Sequence, residues 1–154
     1  MKLEEANRMA LELMGQHGLL TKGWQFMFDN AHKRFGCCRF TQKCISVSRH
    51  LAAINEAWIV RDTILHEIAH ALAGFKHGHD DVWKRVATQI GCRPERCYSN
   101  DVVVTTAKYH AHCPACNQLY RRFKRPRFIQ SCGRCSGTQF NYRYELHWIK
   151  VRED

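Results

Sequence analysis

Apolar residues recur at helical spacing in three parts of the chain. The first part, residues 3–14, ends at a glycine, and the second runs from about Asn55 to Ala73 and ends before Gly74. The third runs from Asp80 to Ile90 and ends at a glycine. Because residues three and four positions apart share one face of a helix, and glycine often follows a helix, these patterns predict three helices.

Between the first two helices, three segments have the alternation and the aromatic or β-branched content of strands. They are Trp24–Phe28, Arg34–Phe40 and Cys44–Ser48. We expect a three-stranded, mainly antiparallel sheet that packs with the helices, and therefore an α+β domain.

After residue 98 the chain changes to short strand-like segments that are separated by pairs of cysteines. These segments are Val102–Val104, Gln118–Phe123 and Tyr142–Trp148. We therefore place a domain boundary here, with an α+β domain in residues 1–98 and a smaller, β-rich domain in residues 99–154.

The composition excludes several classes of protein. Among 154 residues, 45% are hydrophobic and 25% are charged, which is typical of a globular protein and not of a disordered one. No apolar run reaches the roughly 18 residues of a membrane span, and no secretion signal is recognisable. We expect a monomeric cytoplasmic protein with no membrane partner, associated with the nucleoid if its source is bacterial. The nine cysteines are then more typical of metal binding than of disulfides.

The sequence His66-Glu67-Ile68-Ala69-His70 falls within the second predicted helix. Residues i and i+4 lie on one face of a helix, so His66 and His70 can bind the same metal ion. Glu67 lies close enough to accept a proton from a zinc-bound water, the chemistry of a zinc metalloendopeptidase. We predict a catalytic zinc site with Glu67 as its base.

A catalytic zinc site usually has three protein ligands. Ala73 and Lys76 occupy the positions at which metzincins have a glycine and a histidine, so that class is excluded. The remaining candidates are His77, His79 and Glu95. His79 is favoured because it directly precedes the third helix, which can hold it rigidly.

Four cysteines in the second domain have the spacing of a structural zinc site. Cys113 and Cys116 form one Cys-x-x-Cys pair, and Cys132 and Cys135 form another, with 15 residues between the pairs. Four thiolates complete a tetrahedral shell and leave no open position, so we predict a four-cysteine zinc ribbon. The protein should then bind two zinc ions, one catalytic and one structural.

The net charge of +10 is concentrated in the second domain. Residues 1–98 contain 14 basic and 10 acidic residues, whereas residues 99–154 contain 10 basic and 4 acidic ones. Cations next to aromatic rings can neutralise phosphates and stack on unpaired bases. We predict a contact with DNA that is single-stranded or has unpaired regions, made by Tyr120, Arg121, Arg122, Phe123, Lys124, Arg125 and Arg127.

Several of these segments resemble the SprT-like family, which includes the Spartan protease. The resemblance lies in Asp62–Ala71, in His79–Lys84, and in the strand segments Phe35–Cys38 and Ile45–Leu51. In that family the third zinc ligand is a histidine followed four residues later by Trp or Phe, here His79 and Trp83. The family's common His-Gly pair reads His79-Asp80 here.

The resemblance implies a small zincin-like metalloprotease domain followed by a β-rich, four-cysteine zinc ribbon. It also implies a DNA-associated protease that cleaves proteins bound or crosslinked to DNA. Two alternatives stay open: a nucleic-acid-binding zinc protein whose HExxH site is regulatory or weakly active, and a peptidase of free peptides. A residue that stabilises the oxyanion is not assigned, although His77 and Tyr98 are options.

Overall fold

The computed structural model describes residues 1–95 and 102–151. The chain divides into two compact units, Met1–Thr105 and Thr106–Asp154. The predicted boundary between residues 98 and 99 lies outside the described residues.

Within its described residues, the first unit contains four helices, three strands and one 3₁₀ turn. The three predicted helices are confirmed. An additional short helix, α2 (Arg49–Ile54), is capped by Ser48, whose hydroxyl accepts a hydrogen bond from the Leu51 N–H at 3.1 Å. In chain order the elements are α1 (Leu3–Gln16), the 3₁₀ turn (Leu20–Lys22), β1 (Gln25–Asp29), β2 (Gly36–Arg39), β3 (Cys44–Ser48), α2 (Arg49–Ile54), α3 (Ala57–Ala73) and α4 (Asp81–Gln89).

The three strands form one sheet in the order β1-β3-β2. A tight connection makes β2 and β3 antiparallel, whereas β1 pairs with β3 in parallel. The expectation of a mainly antiparallel sheet is therefore wrong: one strand pair is of each kind. The reason is that β2 does not form directly beside β1. The chain leaves the width of one strand between them, and β3 then occupies this place. This path makes β2 an edge strand of the sheet.

The core of the first unit lies around α3. Eight of its 17 residues are buried, and they occupy most of its circumference, so α3 is a central helix. All five residues of β3 are also buried, as expected for the middle strand of a sheet. Within the described residues, no helix is both long enough and apolar enough to cross a membrane.

The predicted strand Val102–Val104 is not formed. Instead, the buried side chain of Asn55 binds both backbone groups of Val103, at 2.8 Å each, and also donates to the carbonyl of Leu51 at 2.8 Å. The Asn55 side chain thus makes the hydrogen bonds to the Val103 backbone that a neighbouring strand would otherwise make.

The second unit is a small antiparallel sheet with two cysteine-bearing turns. Its strands β4 (Tyr109–His112), β5 (Leu119–Arg122) and β6 (Ile149–Lys150) lie in the order β5-β4-β6. The predicted strand at Tyr142–Trp148 is wrong, because the side chain of Asn141 caps a 3₁₀ turn there by accepting from the Arg143 N–H at 3.0 Å. The elements are β4 (Tyr109–His112), β5 (Leu119–Arg122), α5 (Gly133–Ser136), a 3₁₀ turn (Tyr142–Tyr144) and β6 (Ile149–Lys150).

Candidate metal centres and active site

Three histidine side chains meet at one point of the first unit. His66 and His70 lie one turn apart on α3, and His79 lies two residues before α4. The Nε2 atom of His66 is 3.3 Å from that of His70 and 3.0 Å from that of His79, and the last two are 3.2 Å apart. The three predicted zinc ligands are thus brought together.

The geometry and protonation of this cluster fit a metal ion. Tetrahedral zinc with Zn–N bonds of about 2.0–2.1 Å separates its nitrogen ligands by roughly 3.3 Å, close to the observed spacing. Burial, with a smaller effect from the neighbouring imidazoles, lowers the pKa of His66 and of His70 to about 4. The rings are therefore neutral near pH 7, the form that binds metals.

The Trp83 ring packs against all three imidazoles of the cluster. Its ring centroid lies 4.7, 5.2 and 4.6 Å from those of His66, His70 and His79, and the side chain is fully buried in α4. The indole Nε1 has no hydrogen-bond partner within the part of the chain that the structure describes. The indole therefore acts by packing, which restricts the orientation of all three imidazoles.

Asp80 fixes the backbone that carries His79. Its carboxylate caps α4 by accepting from the N–H groups of Val82 and Trp83 at 3.1 and 3.0 Å. The same carboxylate lies 2.8 Å from Nδ1 of His77, so His77 is held away from the cluster. Of the described residues, only His66, His70 and His79 form this metal-binding group, which contains neither His77 nor Glu95. Tyr98 lies outside the described residues.

Glu67 is buried beside the histidines, with 6% of its surface exposed. Burial raises the pKa of its carboxyl group to about 8, although the charge of Arg34 and a hydrogen bond from the backbone of Cys38 act in the opposite direction. A carboxyl group with a pKa near neutrality can both accept and donate a proton.

Gly36, the first residue of β2, packs directly against Glu67. A Cβ atom at this position would lie 2.7 Å from Cγ of Glu67 and closer still to its Oε1. Any other residue would therefore displace the carboxylate. The need for glycine at position 36 therefore comes from the contact between β2 and α3, and the sequence alone does not reveal this contact.

Glu67 and the histidines line an open cleft of about 530 Å³ along the edge strand β2. This volume lies within the range of ligand-binding clefts in proteins. The other lining residues are Lys33, Arg34, Gly36, Cys37, Cys38 and Phe40.

The four predicted cysteines of the second unit also meet. The sulfur atoms of Cys113 and Cys135 are 3.8 Å apart, and those of Cys116 and Cys132 are 3.7 Å apart. Four thiolates around zinc at about 2.3 Å lie roughly 3.8 Å from one another, so this cluster also fits a metal ion. A hydrogen bond from the Tyr120 hydroxyl, 3.1 Å from the sulfur, lowers the pKa of Cys132 to about 6 and favours the thiolate.

The basic segment of the second unit lies along β5 and the loop that follows it. Arg121, Arg122, Lys124 and Arg127 are exposed, whereas the Tyr120 hydroxyl faces the cysteine cluster and Phe123 is half-buried. A second cleft, of about 340 Å³, combines cations and aromatic rings. Its lining includes Phe128, the last aromatic residue of the stretch Tyr120–Phe128, and also His147 and Trp148, which the sequence pattern does not indicate.

Fold and sites together define a mixed α+β protein with one three-histidine and one four-cysteine group, each able to bind a metal ion in a manner consistent with zinc. The sequence profile of the SprT-like family matches residues 5–108, more than half of the chain, and the chain belongs to that family. This family is associated with metalloprotease-like function. The match ends before Cys113, so it does not include the four-cysteine group.

A search of curated proteins gives a weaker similarity of the same kind. Protein SprT from Pseudomonas paraeruginosa is 25% identical over 120 residues, which span 69% of this chain and 73% of the relative. The two comparisons agree on the family.

Substitution of Trp83 tests whether its indole supports the three histidines. We expect Trp83→Ala to weaken zinc binding there by about 10-fold or more, because an indole that supports metal-binding histidines is lost. It should also lower the free energy of unfolding by about 3–5 kcal/mol. Trp83→Phe should keep most of the zinc affinity and most of the free energy of unfolding. It retains an aromatic ring and removes a buried N–H that has no partner among the described residues.

Zinc titration of the metal-free protein, combined with urea unfolding, measures both effects. The four-cysteine cluster serves as an internal reference in each variant. Wild-type zinc affinity in Trp83→Ala would show that the indole does not support the histidines.

Proposed function

We propose that this protein is a zinc-dependent endopeptidase with a zincin-like domain, and that it cleaves proteins bound or crosslinked to DNA. The observation that carries the proposal is the position of Glu67, a buried carboxyl group that lines the same open cleft as the three histidines. A purely structural metal site has no use for a base at that position. In this proposal zinc binds at both clusters, two ions per chain.

His66, His70 and His79 would hold the catalytic zinc ion through their Nε2 atoms. When bound, zinc supplies Lewis acidity, which polarises a carbonyl oxygen and acidifies water. Glu67 accepts the proton of the attacking water and passes it to the nitrogen of the leaving amine. The contact with Gly36 keeps its carboxylate aimed into the cleft during both transfers.

The edge strand β2 would bind the backbone of the substrate. Backbone groups of an unpaired edge can accept an extended peptide as an additional strand. Since Gly36 and Cys38 both contact Glu67, a peptide beside β2 would pass directly over the catalytic carboxylate.

The second unit would bind nucleic acid and thereby select the substrates. The four-cysteine zinc would be structural, because its ligands leave no open position. The proposed contacts are the basic segment from Tyr120 to Arg127 and the cleft that contains Phe128 and Trp148. An unpaired base could stack on the Phe128 ring, which is 82% exposed, while Arg125 and Arg127 contact phosphates.

The central test is Glu67→Gln, assayed on a protein crosslinked to single-stranded or to double-stranded DNA. We expect cleavage to fall by about 100-fold or more, because the proton acceptor is removed while the histidine ligands stay. The zinc content should not change. Cleavage is measured by gel electrophoresis, and zinc by mass spectrometry.

A second variant uses the contact between β2 and Glu67. Gly36→Ala should also reduce cleavage with zinc retained, whereas Gly15→Ala, whose new Cβ would lie 3.6 Å from Leu20, should be as active as the wild type. Persistent cleavage by Glu67→Gln would exclude the assigned mechanism. Equal cleavage of free and DNA-bound protein would instead indicate a general peptidase. Binding to DNA without any cleavage would indicate a nucleic-acid-binding zinc protein.

The proposed DNA contact predicts two separate effects on binding. Phe128→Ala should weaken binding of single-stranded DNA by about 10-fold, the effect of losing one stacked base. Tyr142→Ala is the matched control, because its ring is 75% exposed and lies outside the second cleft. Fluorescence anisotropy measures both affinities.

The loss of two phosphate contacts should also change the salt dependence. With Arg125 and Arg127 both replaced by Gln, the slope of log affinity against log salt should fall by about 1.4 in magnitude. An unchanged slope, together with equal effects of Phe128→Ala and Tyr142→Ala, would place the DNA contact elsewhere.

A further inference from the structure

The cleft beside β2 has two ends of different chemistry. Lys33 and Arg34 precede the strand and lie at one end, whereas Phe40 follows the strand and lies at the other. Glu67 lies between them, in contact with Gly36. A peptide that extends along β2 would therefore pass from a cationic to an aromatic environment.

At the cationic end, an ion pair and hydrogen bonds fix the position of Arg34. An ion pair with Asp29 holds the Arg34 guanidinium, and Asp29 is itself fixed by the Ala31 N–H and the Ser46 hydroxyl, both at 2.9 Å. The Arg34 side chain is still 47% exposed, so it can contact a ligand as well.

The charge at this end is not neutralised by its own ion pair. The Asp29 carboxylate also lies 3.6 Å from Nη2 of Arg39, which does not line the cleft, and Lys33 is a second cation of the cleft itself. Lys33 and Arg34 together with Asp29 leave a net charge of +1 at this end. Among the described residues that line the cleft, Glu67 is the single acid, and it has the catalytic position.

The aromatic end is equally defined. The Phe40 ring packs edge-to-face against Trp24 and Phe75, at centroid distances of 5.8 and 6.4 Å. Phe75 is 74% exposed, so this end presents an apolar surface beside the cleft. An apolar side chain of a substrate would be favoured here.

The register of β2 gives the direction in which a peptide would lie. The Ser48 N–H donates to the Phe35 carbonyl at 2.7 Å, so the alternation of antiparallel bonds turns the backbone groups of Gly36 and the carbonyl of Cys38 towards the open edge, while the Cys38 N–H donates to Glu67. Antiparallel pairing is the stronger kind, and it places the carboxyl side of the peptide towards Lys33 and Arg34.

We propose that the cleft selects extended peptide segments with an acidic side chain on the carboxyl side of the cleaved bond and an apolar one on the amino side. Arg34 is the main specificity-determining residue, and Lys33 supports it. This inference rests on the proposed function and specifies the substrate of that same site. We favour a peptide carboxylate over a DNA phosphate as the ligand of Arg34 and Lys33. These cations lie in the same cleft as Glu67, beside the backbone edge of β2, and only a peptide can pair with that edge.

The test is digestion of a random-sequence peptide library by the zinc-loaded full chain with single-stranded DNA present. Mass spectrometry then identifies the residues on each side of every cleaved bond. We expect Asp and Glu to be favoured over Lys by about 10-fold on the carboxyl side, the effect of one charge-assisted hydrogen bond. Apolar residues should be enriched on the amino side.

Arg34→Gln should remove most of the acidic preference and leave only the contribution of Lys33, and Arg34→Glu should reverse the preference towards Lys. Arg8→Gln is the matched control, because Arg8 is an exposed arginine of α1 outside the cleft, and it should keep the preference. The readout is the ratio of acidic to Lys substrates, so a general loss of activity in an Arg34 variant does not imitate the result.

Each other outcome overturns the inference in a distinguishable way. Acidic residues on the amino side would mean that the peptide lies in the parallel direction. Unchanged preference in Arg34→Gln, combined with weaker DNA binding, would assign the cations to phosphate. Cleavage without any charge preference would refute the specificity alone. If neither the library nor DNA-bound protein is cleaved, the proposed function fails, and the inference fails with it.

Discussion

The meeting of three imidazole nitrogens within 3.0–3.3 Å of one another is the constraint on which the first unit depends. Two of them are placed by one turn of α3, but the third requires α4 to begin at a fixed position. Asp80 ensures that position by capping α4, and Trp83 packs beneath all three rings. Burial lowers the pKa of His66 and of His70 and keeps these two imidazoles neutral, so the core of the unit also favours metal binding.

The two candidate metal centres have different designs. The four-cysteine cluster is closed, and its sulfur atoms are surrounded by a small core that includes Leu146. A unit of this size gains much of its folding free energy from such an ion. The three-histidine cluster opens onto a cleft and has a buried carboxyl group beside it. This contrast is the physical basis for the proposal that one centre is structural and the other catalytic.

The sequence predicts local features well, because they depend on neighbours in the chain. Examples are the helical spacing of His66 and His70 and the position of His79 before its helix. Features that depend on distant contacts were predicted poorly. The parallel pairing of β1 with β3 follows from the path of the chain, and the backbone of Val103 binds the Asn55 side chain and not a strand. Similarly, no sequence pattern shows that Gly36 packs against Glu67, or that Tyr120 faces Cys132.

Anomalous diffraction from crystals of the zinc-loaded protein, recorded on both sides of the zinc absorption edge, is the most direct test of the account. We expect two peaks per chain. One should lie about 2.1 Å from the Nε2 atoms of His66, His70 and His79, with its fourth position open to the cleft, and the other about 2.3 Å from the four cysteine sulfur atoms. A histidine centre without zinc, or one closed by a fourth protein ligand such as His77, would contradict the account.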